Sequence, residues 1–164
     1  MSDQIDKQGL AAQVAALGDQ RAVQVLALAV YRDQTPPPTD PQLDARLREA
    51  AQQADADTVP VQPGVSDGDL ARATLAYLAQ TPDRAQDVQR AIAITDSDPT
   101  VRFIDPVTLV IGGLILLALQ TEISLDKDTK GRWRFHFRKN PMSDATLGNA
   151  IGSFIGAYTP TGTR

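Results

Sequence analysis

The residues in this chain that could do chemistry are few, and most of them lie in one short stretch. Between positions 127 and 139 the cations Lys127, Lys130, Arg132, Arg134, Arg138 and Lys139 are interleaved with Trp133, Phe135 and Phe137. Such a stripe can meet anionic lipid headgroups, a polynucleotide or the acidic bundle of this chain or a second copy, but a solvated edge partly neutralised by Glu122 and Asp126 is the favoured reading. His136, the only histidine, lies in the same stretch. With no nucleophile near it in sequence, it reads as an exposed pairing partner for Glu122 rather than a general base. Asp126-x-Asp128-x-x-Gly131 imitates the start of a calcium loop, but Phe137 stands at the twelfth position, where a bidentate glutamate is required. It reads as a turn. Asp55, Asp57, Asp67 and Asp69 also lack ligand spacing and read as solvated loop acids. Without cysteine the chain has no disulfide, zinc–thiolate or thiol chemistry. It has no glycine-rich phosphate loop either. The sequence therefore assigns no catalytic residue, no metal ligand and no cofactor, and the expectation is a protein that is not an enzyme.

Hydropathy patterning supplies the elements that must hold the cationic stripe. Residues 121–126 and 132–138 alternate between apolar and polar, with Lys127-Asp-Thr-Lys-Gly131 between them, and so predict an antiparallel β-hairpin. Pairing Asp126 with Arg132 sets Leu125 opposite Trp133, Ile123 opposite Phe135 and Thr121 opposite Phe137 on one face. Ser124 with Arg134 and Glu122 with His136 then share the other face. The aromatics point away from the cations, so bases could not stack while phosphates met the arginines. That arrangement disfavours nucleic acid.

A hairpin alone is marginal in water, so its aromatic face needs a support. The stretch from Asp105 to Gln120, DPVTLVIGGLILLALQ, carries no charge after its first residue and predicts a helix buried on every side. Asp105-Pro106 supplies a cap followed by proline at the first helical position. A helix over 106–120 reaches only about 22 Å, against about 30 Å of bilayer hydrocarbon, so a core helix is favoured over a membrane span. Gly112-Gly113 would also suit two strands joined by a tight turn, but the Leu/Ala-rich second half favours helix. The last helix starts from Ser143 as N-cap, with Leu147, Ala150, Ile151, Phe154, Ile155 and Tyr158 at helical spacing. Gly148, Gly152 and Gly156 form a row of notches along it, read as close packing against residues 106–120, with self-association as the alternative.

The first hundred residues form a chemically different object. They carry 15 acids and 8 bases, against 5 acids and 8 bases in residues 101–164. Apolar spacing predicts helices over Gln4–Leu17, Asp19–Tyr31, from Asp40-Pro41 to Ala54, from Ser66 to Gln80, and from Thr81-Pro82 to about Ile92. The expected fold is mainly α. It consists of an acidic, alanine-rich bundle of about five short helices over 1–94, a linker over 95–104, an α-ββ-α unit over 105–158 and a frayed tail over 159–164. The beginning, MSDQIDKQGL, has neither a basic nor an apolar segment of a signal peptide, so a cytoplasmic location is expected.

The combination of Asp105-Pro106, a Gly-Gly-broken aliphatic run ending Leu119-Gln-Thr121, the strand GRWRFHFRKNP over 131–141 and the segment SDATLG over 143–148 carries a resemblance. It resembles the C-terminal part of small bacterial proteins encoded beside caspase-like proteases or signalling ATPases in antiphage conflict operons. The resemblance implies a role as accessory, adaptor or effector in a defence or regulated-cell-death system. No site residue is carried over from it. The expected mode of action is protein–protein contact, with a protease or signalling ATPase as partner or with a second copy of the chain. The alternative is a membrane-perturbing effector whose apolar helix and basic hairpin engage anionic lipid after activation.

Overall fold

The computed structural model describes residues 7–31, 41–53, 65–97, 111–119, 122–140 and 144–158. They form α1 (Lys7–Ala15), α2 (Asp19–Tyr31), α3 (Pro41–Gln53), α4 (Asp67–Leu78), α5 (Pro82–Ser97), α6 (Ile111–Ala118), β1 (Ile123–Lys127), β2 (Trp133–Phe137) and α7 (Ala145–Tyr158). The chain is mainly helical with one antiparallel hairpin, as the patterning predicts. The Asp40 and Ser143 caps, the Asp105-Pro106 signal, most of the expected linker and the tail lie outside the described residues.

Local signals explain several boundaries. Ser66 is extended, with φ −77° and ψ 164°, and its hydroxyl accepts the Asp69 N–H at 3.1 Å, so α4 begins where the capping pattern places it. α5 runs on to Ser97, past the end expected near Ile92. The cause is tertiary: Arg21 at the start of α2 donates to the Thr95 hydroxyl at 3.2 Å and pairs with Asp96. Residues read as linker are thereby held as helix. A second fastening joins α4 to the turn before α2. Arg72 donates to the Leu17 carbonyl at 2.8 Å and pairs with Asp19 at 2.9 Å and with Asp69. The helices approach closely there, because a Cβ on Gly68 would run into the backbone of Asp19.

α4 is the hub, in contact with α1, α2, α5, α6 and α7. The apolar helix α6 is buried as expected, with Leu114, Ile115 and Leu119 at 1% exposure or less. What buries it differs from the expectation. α6 packs chiefly against α2, α3 and α4, with β1 following directly and the last helix reaching it through Tyr158 at Gly112, instead of lying beneath the hairpin. α7 in turn lies along α4 and α3, with Gly148, Gly152 and Gly156 buried. Small side chains on α4, such as Ala73 and Thr74, suit that close approach; the Thr74 hydroxyl bonds back to the Leu70 carbonyl at 3.0 Å.

Gly112-Gly113 is helical, not a strand turn. A Cβ on Gly112 would overlap the Leu47 side chain and stand 2.5 Å from the Tyr158 hydroxyl. The glycine that weakens the helix is the notch that lets α3 and α7 close on it. Leu26 of α2, Leu47 of α3, Leu70 of α4, Ile115 of α6 and Phe154 of α7 belong to one hydrophobic cluster. Described helices from both sides of the expected linker therefore share a core.

Candidate interaction face of the hairpin

β1 and β2 pair Ile123 with Phe137, Ser124 with His136, Leu125 with Phe135, Asp126 with Arg134 and Lys127 with Trp133. This register is two residues away from the expected one. The turn causes the difference. Asp128, not Lys127, opens the loop: its N–H donates to the Arg132 carbonyl at 2.8 Å, and its carbonyl accepts the Gly131 N–H at 3.1 Å. Gly131 takes φ +80°, the left-handed position that closes a three-residue hairpin loop. The Asp128 carboxylate accepts the N–H groups of Lys130 and Arg132, each at 2.9 Å. The Arg132 N–H first, then the Lys130 N–H, hold its pKa below the usual aspartate value, with Arg134 and Arg132 adding charge attraction. A slip of two residues preserves strand parity, so each side chain keeps its expected face.

The aromatic face does not rest on α6. Trp133 and Phe135 lie against α3 and α7: the Trp133 N–H donates to Glu49 at 3.3 Å, and the Phe135 ring sits 5.5 Å from Phe154. Phe154 continues the stack edge-on to Tyr158 at 5.7 Å. Arg46 lies over the Trp133 ring at 4.8 Å, with Lys127 over the same ring at 5.4 Å.

The six cations of the stripe therefore separate. Lys127 belongs to the aromatic face through its pairing with Trp133. Lys139, past the strand end, turns to Tyr77, its ammonium 3.3 Å from the phenol oxygen and 5.5 Å from the ring centre. Arg132, Arg134 and Arg138 remain exposed on the outer face, with Lys130 exposed at the turn. Asp126, which accepts the Ser124 hydroxyl at 2.9 Å, is the acid opposite Arg134. Ser124, Asp126 and His136 share this face without forming a catalytic triad. The serine donates to the aspartate, and His136 makes no side-chain hydrogen bond or ion pair among the described residues. No group of three His, Cys, Asp or Glu able to hold a metal occurs among the described residues.

Glu122 is not the exposed partner of His136. It is buried at the root of the hairpin, its carboxylate 3.3 Å from Arg84, whose guanidinium also donates to the Ala118 carbonyl at 3.1 Å. The Glu122 carbonyl accepts the N–H groups of Arg138 at 2.8 Å and Lys139 at 3.3 Å. Tyr77 completes the cluster: burial, then its hydrogen bond to the Glu122 carboxylate, pushes its phenol pKa well above the usual tyrosine value. This network anchors the outer face rigidly to α4, α5 and the end of α6. Sequence reasoning missed Arg84 and Tyr77 because their partner lies 38 or more positions away, beyond any local pattern.

No protein-family model, curated protein or solved structure matches this chain. Among the described residues, no helix is long and apolar enough to cross a membrane.

Proposed function

We propose that this protein is a non-enzymatic accessory protein that works by protein–protein contact, with the outer face of its hairpin docking an acidic partner surface. One observation carries the reading. Lys130, Arg132 and Arg134 are exposed on a rigidly held turn and strand, and none makes a side-chain hydrogen bond or contact ion pair among the described residues. Arginines on the helices are spent internally: Arg21 on Asp96, Arg72 on Asp19 and Asp69, Arg84 on Glu122, and Arg90 on Asp87. A surface that carries an excess of positive charge steers and orients an anionic partner. The sequence resemblance supplies a setting for it, a bacterial defence or cell-death system in which the partner is a protease or signalling ATPase and the location is cytoplasmic.

The test is to read the neighbouring reading frames, co-express a protease or signalling ATPase found there, and measure its affinity at low and high salt. Arg132→Glu with Arg134→Glu is expected to weaken the complex at least tenfold, and salt to weaken the wild type similarly. An affinity indifferent to both changes overturns the reading. Vesicles of phosphatidylserine and phosphatidylcholine serve as the comparison, since headgroups meet the same charges. Flotation with them in place of partner binding moves the assignment to a membrane-directed effector.

A further inference from the structure

The root of the hairpin adjoins a pocket that charge alone does not use. α2, α4, α5 and α6 border an open pocket of about 220 Å³, with apolar walls from Val30, Leu78, Leu117 and Ala118 and polar ones from Arg84 and Asp87. Leu117 is the exposed large hydrophobic among the described residues, at 38% exposure, whereas its α6 neighbours Leu114, Ile115 and Leu119 are buried. Arg84 ties the pocket to the hairpin, because it lines the one and pairs with Glu122 at the foot of the other. From that foot, β2 leads through Arg138 to Arg134, about 13 Å along an extended strand. We infer that the pocket and the hairpin's outer face form one composite docking surface, whose occupant is a protein segment carrying an apolar anchor residue beside a run of acidic residues. The inference rests on the docking face proposed above and specifies its partner.

Charge complementarity selects this occupant. The charged groups at the pocket are already engaged, Arg84 with Glu122 and Asp87 with Arg90, so an entering ion would lose water without gaining a new counter-charge, and the residue entering must be uncharged and apolar. The partner's acids must lie on the hairpin side, opposite Arg134 and Arg132. At about 220 Å³ the pocket is smaller than the roughly 300–1,000 Å³ that hold drug-sized ligands, so it suits a single side chain and not a lipid acyl chain. A buried apolar anchor flanked by steering charges is also how protein interfaces concentrate their affinity.

The experiment uses the full chain and two labelled peptides of about eight residues, a length that spans pocket and strand when extended. One alternates glutamate and glycine, and the other is identical except for a terminal leucine, tried at either end. Both are expected to bind in a salt-dependent manner, the leucine peptide roughly tenfold tighter. Leu117→Asp is expected to abolish the leucine advantage while leaving the glutamate peptide's affinity in place. Arg132→Glu with Arg134→Glu is expected to abolish both. Equal affinities for the two peptides, or a leucine advantage that survives Leu117→Asp, overturn the composite site alone. If neither peptide binds, the docking face itself fails and the composite site with it. Should Leu117→Asp not fold, methyl resonances of the wild type decide. Shifts at Leu117, Leu78 and Val30 on adding the leucine peptide support the pocket, and shifts confined to the hairpin overturn it.

Discussion

At Glu122 a carboxylate is buried three residues after Leu119, in the least hospitable surroundings for charge that the chain offers. Arg84 and Tyr77 make that burial tolerable. Removing Arg84 leaves the carboxylate without its cation and takes a donor from the Ala118 carbonyl at the end of α6. Arg84→Ala is therefore expected to cost about 2–3 kcal/mol in urea unfolding, below the usual figure for a fully buried pair because the arginine is partly exposed. Arg84→Met combined with Glu122→Leu is expected to recover most of that loss. Tyr77 provides a pH signature. Its folded pKa is raised, so the stabilisation it supplies is complete below about pH 10, the unfolded phenol's pKa, and declines as pH rises beyond it. The urea midpoint should fall as pH rises above about 10, and Tyr77→Phe should flatten that fall. Little of this was legible in the sequence. Glu122 alternates correctly with Ser124 and Asp126, and alternation alone assigns it to solvent; only the distant Arg84 reverses that assignment.

Among the elements, pattern gave the hairpin's faces and geometry gave its register. Alternation over Trp133–Phe137 is unambiguous about which residues are inward. The register depended on which residue opens the loop, and Asp128 decides it by gathering two backbone N–H groups that no hydropathy pattern registers. α6 tells a similar story. Its apolarity announced burial, while its glycines looked like a weakness or a strand turn until Leu47 and Tyr158 were seen to occupy the space they leave. Gly112→Ala is accordingly expected to destabilise the protein by about 1 kcal/mol despite its better helix propensity, because the overpacking cost exceeds the gain. In a Leu47→Ala background the cost should shrink, and with Tyr158→Phe added, which removes the hydroxyl, it should shrink further. A double-mutant cycle measured by thermal unfolding reads the difference directly.

For the molecule as a whole, charge and composition divide the chain into an acidic helical part and a basic, aromatic part, yet one core runs through both. Composition records what faces solvent, and the core is made of aliphatics that the two parts share. Phe154 joins them, stacked between Phe135 and Tyr158 within the cluster that holds Leu70 and Leu47. Phe154→Ala is expected to cost about 3–5 kcal/mol. Trp133 emission, reporting the hairpin, and far-ultraviolet circular dichroism, reporting the helices, should lose structure at the same denaturant concentration in both proteins. Separate midpoints would mean two independently folding units.

The order of elements along the chain has a consequence for biosynthesis. The surfaces that receive α6 belong to α2, α3 and α4, all of which leave the ribosome before it. Its greasiest residues thus emerge onto a seat already built, whereas α4 must wait, one flank bare, for α7, the last of these elements to be made. A nascent chain halted just short of Ala145 is where a chaperone would find the most to hold.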